Sequence, residues 1–149
     1  MTEVSFYHLQ LEPLEQALPR LLDKVNERGM KALVRIKNQV LQDQLDEVLW
    51  AFSAPSFLPH GVQGTENDAD QPVLLSLEPS GNANNATVLV LLEDSDAADV
   101  ADYDRCLYMF DGNNDDDLAA ARERWKSFKE EGLDVTYWQQ SPTGWQKKA

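Results

Sequence analysis

Apolar and polar positions along this chain follow two alternating rhythms. EVSFYHL, residues 3–9, alternates with period two and is rich in β-formers, which predicts a first strand. Leu14, Ala17, Leu18, Leu21, Leu22 and Val25 then recur at helical spacing, and Gly29 supplies a C-terminal stop. Pro19 falls inside that helix, where a proline loses a hydrogen bond and clashes. A kink, or a regular helix beginning only there, is expected. KALVRIK predicts a second strand. NQVLQDQLDEVLWAF predicts a second helix, with Val40, Leu41, Leu45, Val48, Leu49 and Phe52 on its apolar face. Trp50 and Phe52, at its end, are expected to pack into the core.

APSFLPHGVQGTENDADQP is rich in proline, glycine and polar residues and reads as a loop, with room for a very short strand at FLPH. QPVLLSLE, ATVLVLLED and RCLYMF are further strands. The last two are nearly continuously apolar, as strands covered on both faces are. From Asn113 to Gly132 the pattern is helical. Asn113 or Asn114 serves as N-cap, Asp115 to Asp117 complement the positive end of the helix dipole, and Gly132 ends the helix. LDVTYWQQ reads as a last strand and SPTGWQKKA as a tail. This alternation predicts an α/β, three-layer sandwich with a mostly parallel central sheet. The organisation is a single domain over residues 1–140 with a C-terminal tail at 141–149.

Charge changes the picture. The chain carries 26 acidic against 13 basic residues in 149, a net charge of −13, which argues against non-specific binding of its whole surface to nucleic acid or anionic membrane. Asp94, Asp96, Asp99, Asp102, Asp104, Asp111 and Asp115 to Asp117 make one strongly acidic stretch. Directly after it, RERWKSFKEEG gathers Arg122, Arg124, Lys126 and Lys129 around Trp125 and Phe128. Arg122, Lys126 and Lys129, at i, i+4 and i+7, share one helix face with Trp125 beside them. One reading is a solvated face that complements the helix dipole, with Trp125 or Phe128 turned into the core. The other is a small pocket for an acidic peptide with an apolar tip.

Other chemistry is thinly supplied. The order of elements is Rossmann-like, yet the first strand-to-helix connection, YHLQLEPLEQ, has no glycine and no GxxxxGK[ST] loop occurs, so no nucleotide cofactor is expected. His8 and His60 stand far apart with one cysteine between them and the chain end, which makes no zinc site. His60 reads as a loop histidine bonded to local backbone. Cys106, in an apolar run, reads as a buried thiol. DGNNDDDL is not an EF-hand loop, since Gly112 comes second and Arg122 twelfth; it reads as a helix start. No apolar run reaches the roughly 18 residues of a membrane span. MTEVSFYHLQLEP lacks the layout of a signal peptide, so a cytoplasmic location is expected.

FYHL, LDEVLWAFSAPSFLPHG and RERWKSFKEEGLDVTYW, in this order and spacing, resemble the chi subunit of bacterial DNA polymerase III holoenzyme. The resemblance covers most of the chain, and its middle block is the most specific. It implies a non-catalytic accessory subunit without cofactor or metal, held to the clamp-loader assembly by the psi subunit. It also implies binding of the acidic, phenylalanine-ending C-terminal tail of single-stranded DNA-binding protein (SSB), with DNA met only indirectly. Arg122, Trp125 and Lys126 match the family's tail pocket, with a different kind of aromatic at Trp125. Phe57, in PSFLPHG, matches an apolar position of that pocket. Arg124 and Lys129 are added by helical geometry. The acidic surplus, the loop from Ser80 to Ala86 and the extended tail depart from the family pattern. Two alternatives remain. One is an α/β enzyme using the strand-end carboxylates Asp94 and Asp111. The other is direct binding of single-stranded nucleic acid by Arg122, Trp125, Lys126, Lys147 and Lys148.

Overall fold

A computed structural model describes residues 2–51, 59–92, 95 and 98–148. Its elements are β1 (Glu3–Leu9), α1 (Leu14–Glu27), β2 (Ala32–Arg35), α2 (Gln39–Ala51), β3 (Gly61–Val62), β4 (Val73–Ser76), β5 (Val88–Leu92), β6 (Arg105–Asp111), α3 (Asp115–Glu130), β7 (Asp134–Ser141) and β8 (Gly144–Lys147). Among the described residues the strands form one eight-stranded sheet in the order β3-β4-β2-β5-β6-β1-β7-β8. Every pairing is parallel except β7 with β8. The α/β sandwich with a mostly parallel sheet is therefore the observed fold.

Alternate residues of each central strand feed two cores. On one face α1 and α2 cover Val34, Val90, Leu107 and Met109. On the other α3 covers Val4, Phe6, Leu89, Tyr108 and Phe110. Burial on both sides is why β5 reads as an unbroken apolar run. Cys106 lies in the second core without exposure, and burial pushes its thiol up to about 12. It is inert packing.

Local signals set the helix ends. At α1 the Gly29 N–H donates to Asn26 O (2.9 Å) and the Met30 N–H to Val25 O (3.2 Å). At α3 the Gly132 N–H donates to Lys129 O and the Leu133 N–H to Phe128 O, both at 3.1 Å. Both are Schellman stops, with Gly29 and Gly132 at φ +74° and +82°. The Asn114 side chain accepts from the N–H groups of Asp116 and Asp117, as an N-cap does. Pro19 is buried within α1, which is continuous from Leu14, so the regular helix does not begin at the proline.

Three expectations need correction. Residues 144–147 are not a loose tail but strand β8, paired with β7 across a turn in which Ser141 Oγ donates to Gly144 O (2.8 Å). Of the short strand foreseen at FLPH, Phe57 and Leu58 lie outside the described residues, Pro59 and His60 are not in a strand, and a two-residue strand follows at Gly61–Val62. Val40 and Trp50 are 67% and 59% exposed instead of packed in the core. Each stands five residues from the buried Leu45, which places both about 140° around the helix from it. Trp50 packs instead on the His60 ring, with centroids 4.9 Å apart. His60 itself is buried, and its Nε2 meets the Asp46 carboxylate of α2 (2.9 Å).

The β1–α1 connection lacks glycine, and its amides are already engaged. The buried Gln140 side chain offers Oε1 to the N–H groups of Gln10, Leu11 and Glu12 at 3.0, 2.9 and 3.1 Å. In a nucleotide-binding fold, amides at this turn would face a phosphate.

Candidate functional site

Helix α3 crosses the sheet face built by β6, β1 and β7, burying Ala121 and Phe128. Its remaining faces determine what it offers outward. Arg122, Lys126 and Lys129 are exposed, while Trp125 is half-buried. The Trp125 ring is edge-on to Phe6 (5.5 Å) and to Tyr137 (5.8 Å), and the Lys129 ammonium lies 5.2 Å from its centroid. The indole is therefore braced by the sheet on one side, with the Lys129 ammonium over its ring. Such an aromatic is positioned before anything binds, which lowers the ordering cost of a contact.

Arg124 points another way. Its guanidinium lies over the Tyr108 ring (5.4 Å) and it is half-buried, so it supports the sheet-facing side of α3 while the other three cations face out. Phe57 and Asp94 lie outside the described residues. The helix leading to Phe57, α2, covers the opposite face of the sheet from α3. Lys147 and Lys148 are exposed at the end of the β7–β8 hairpin, where the Lys148 N–H donates to Tyr137 O (2.7 Å). Asp111 ends β6, and its carboxylate accepts from the Asn113 N–H (2.9 Å) as part of the turn into α3. It borders a cavity of about 380 Å³ at the ends of β1 and β6. Among the described residues no cluster of His, Cys, Asp or Glu could hold a metal ion, and no helix is long and apolar enough to cross a membrane.

Sequence reasoning missed the groups beneath the helix. Tyr137 Oη and His8 Nδ1 are 2.5 Å apart, and His8 packs on Phe110 (5.2 Å). Burial lowers the His8 pKa from its ordinary value, against the opposing charge of Asp111. Burial raises that of Tyr137, while the charge of Arg122 pulls it back. Arg122 is thus electrically coupled to the Tyr137 end of the patch. The period-two pattern held the signal, because Phe6, His8 and Tyr137 belong to the face that α3 must cover.

Gly112 makes room for His8. A Cβ at residue 112 would overlap the imidazole at Nε2 and Cδ2. Gly112→Ala is therefore expected to displace the ring, break its bond to Tyr137 and destabilise the fold by about 1–3 kcal/mol, as overpacking does. Urea unfolding checks this. The added loss should shrink in a His8→Ala background, where the overlap is gone.

Comparison with known proteins bears on what such a patch serves. A family model described as "DNA polymerase III chi subunit, HolC" matches residues 1–136. A Rickettsia prowazekii protein named "Probable DNA polymerase III subunit chi" is 32% identical over 100 residues, 67% of this chain and 60% of the relative. The match thus spans less than two thirds of that relative. The DNA polymerase III subunit chi of Pseudomonas aeruginosa is 34% identical over 97 residues, 62% of this chain and 67% of the relative. That of Escherichia coli is 26% identical over 142 residues, 91% of this chain and 96% of the relative. Because the family match runs from β1 into β7 and takes in all of α3, the chain belongs to the DNA polymerase III chi subunit family.

Proposed function

We propose that this chain is a non-catalytic accessory subunit of the replicative DNA polymerase III holoenzyme, joined through psi to the clamp-loader assembly and gripping the acidic C-terminal tail of SSB on helix α3. The observation that carries the reading is a local inversion of charge. In a chain of net charge −13, Arg122, Lys126 and Lys129 face outward around a braced, half-buried Trp125. Cations of this kind suit carboxylates, and the indole suits a terminal apolar ring. The acidic remainder repels DNA phosphates, so the strand is reached through the protein that coats it.

The direct test is a pull-down with SSB carrying or lacking its C-terminal tail. Retention of the full-length protein alone supports the reading, and equal retention of both forms overturns it. Phe57 refines the site. Phe57→Ala should weaken tail binding while leaving the melting temperature nearly unchanged. A stability loss of about 3–5 kcal/mol, typical of a buried aromatic truncation, would place Phe57 in the core.

A further inference from the structure

On the sheet face opposite α3, a groove of about 830 Å³ runs between α1 and the β7–β8 hairpin. Four of the chain's thirteen Lys and Arg residues line it: Arg20, Lys24, Arg28 and Arg105. The first three stand at i, i+4 and i+8 and form one stripe along α1. Arg105 enters from the start of β6. Glu12 is the one carboxylate in the lining, and it pairs with Arg20. Among the described residues Arg105 pairs only with exposed Glu3, at 3.5 Å. Among the described residues, neither Lys24 nor Arg28 is in an ion pair.

The opposite wall is aromatic. Tyr7 and Trp138 are register partners on β1 and β7, and the Trp145 ring meets Tyr7 edge-on at 5.0 Å. All three line the groove. Leu11, 58% exposed, stands at one end of it. The dipole of α1 accounts for cations near its C-terminus. It does not account for Arg105, which comes from a strand, nor for a facing wall of aromatics.

We propose that this groove is a second docking site, taking an extended acidic segment of a protein partner that carries one aromatic or branched apolar side chain. The carboxylates face the α1 stripe and Arg105, and the apolar side chain lies against Trp138 and Trp145. Fourteen residues of α1 span about 21 Å, which matches about six residues of extended peptide. A nucleic acid fits less well. Its phosphates continue past the groove over a surface of net charge −13, whereas a short peptide ends within it. The protein would then present cation-and-aromatic sites on both faces of its sheet, and so bridge two acidic partners.

The probe is a synthetic peptide of about seven residues, acidic throughout, with one central phenylalanine and both ends blocked. Backbone amide shifts of the full chain are followed during titration. The expected result is shifts along α1 and the β7–β8 hairpin, with affinity falling at least about tenfold in Lys24→Glu/Arg28→Glu, as for lost charge-assisted contacts. Binding should persist in Arg122→Ala/Lys126→Ala, which separates this groove from the α3 site. Replacing the central phenylalanine by serine should also weaken it. Melting curves of each variant confirm that it is folded, and Trp145→Ala supplies an independent variant if the double reversal is not. The proposal is overturned if the shifts fall on α3 alone, if Lys24→Glu/Arg28→Glu binds as tightly as the unaltered chain, or if an oligothymidylate of equal length binds the groove more tightly than the peptide.

Discussion

Asp99→Ala lowers the stability of the fold by about 3–5 kcal/mol, the loss typical of removing one member of a buried ion pair. Arg35, at the end of β2, is only 1% exposed, and its guanidinium grips Asp99 with two prongs: Nη1 to Oδ1 at 2.8 Å and Nη2 to Oδ2 at 3.2 Å. Nη2 also donates to Gly81 O (3.2 Å), the oxygen that accepts from the Tyr103 hydroxyl (3.0 Å), and the Gly81 N–H donates to Asp99 Oδ2 (3.2 Å). One buried cation therefore ties the loop around Gly81 and the segment 99–103 to the core. Removing the carboxylate takes the two-pronged anionic acceptor away from a cation held in a low-dielectric site. A melting temperature lower by roughly 10 °C is expected for a chain of this size. Arg35→Met in the same background should return part of the loss, since replacing both members of the pair removes the buried charge as well. If the single variant melts within about 2 °C of the unaltered protein, the pair contributes like an ordinary surface bridge.

The same pair sets an acid limit. Burial pushes the Asp99 carboxyl up, but the hydrogen bond and charge of Arg35, with the Gly81 amide, outweigh it and hold the pKa below its ordinary value of 3.8. A folded-state pKa below the unfolded one means that the unfolded chain binds the proton first as pH falls. The contribution is whole above pH 3.8 and is lost as pH drops through the lower folded value. Asp99→Ala should accordingly flatten the acid side of the stability profile, besides lowering it.

Most of the fold was legible because it is written locally. Period-two alternation in EVSFYHL, unbroken apolar runs in β5 and β6, and Gly29 and Gly132 past their helices each act within a few residues. What sequence could not show depends on distant pairing. Arg35 and Asp99 are 64 residues apart, so Asp99 was indistinguishable from its acidic neighbours. Strand β8 is short and polar, and it is a strand because β7 offers a partner edge and Trp145 can pack on Tyr7. Trp50 read as core, yet the apolar stripe of α2 turns away from it and it lies exposed against the buried His60 ring instead. The outward cations of α3 were legible from spacing. The sheet residues that brace Trp125 were not, because helical periodicity says nothing about which strand lies beneath.

Arg122→Ala and Lys126→Ala should each weaken binding of a synthetic SSB tail peptide by about ten- to a hundredfold, equivalent to losing a charge-assisted contact of roughly 1.5–3 kcal/mol. Both side chains are exposed, so neither change should move the melting temperature appreciably. Arg122→Lys should recover only part of the loss, because lysine keeps the charge but not the two-pronged geometry. Trp125→Ala confounds binding with packing, since the indole also touches Phe6 and Tyr137, and it is the weaker test. Salt should reduce affinity moderately: the cations are screened, while contact of the terminal phenylalanine with the indole is not. Calorimetry with the tail peptide, and with the same peptide lacking its last phenylalanine, separates the two contributions. If both peptides bind alike and Arg122→Ala changes neither, the basic face of α3 is a solvated surface. A steep salt slope with single-stranded DNA in the absence of SSB would instead mark direct contact with phosphates.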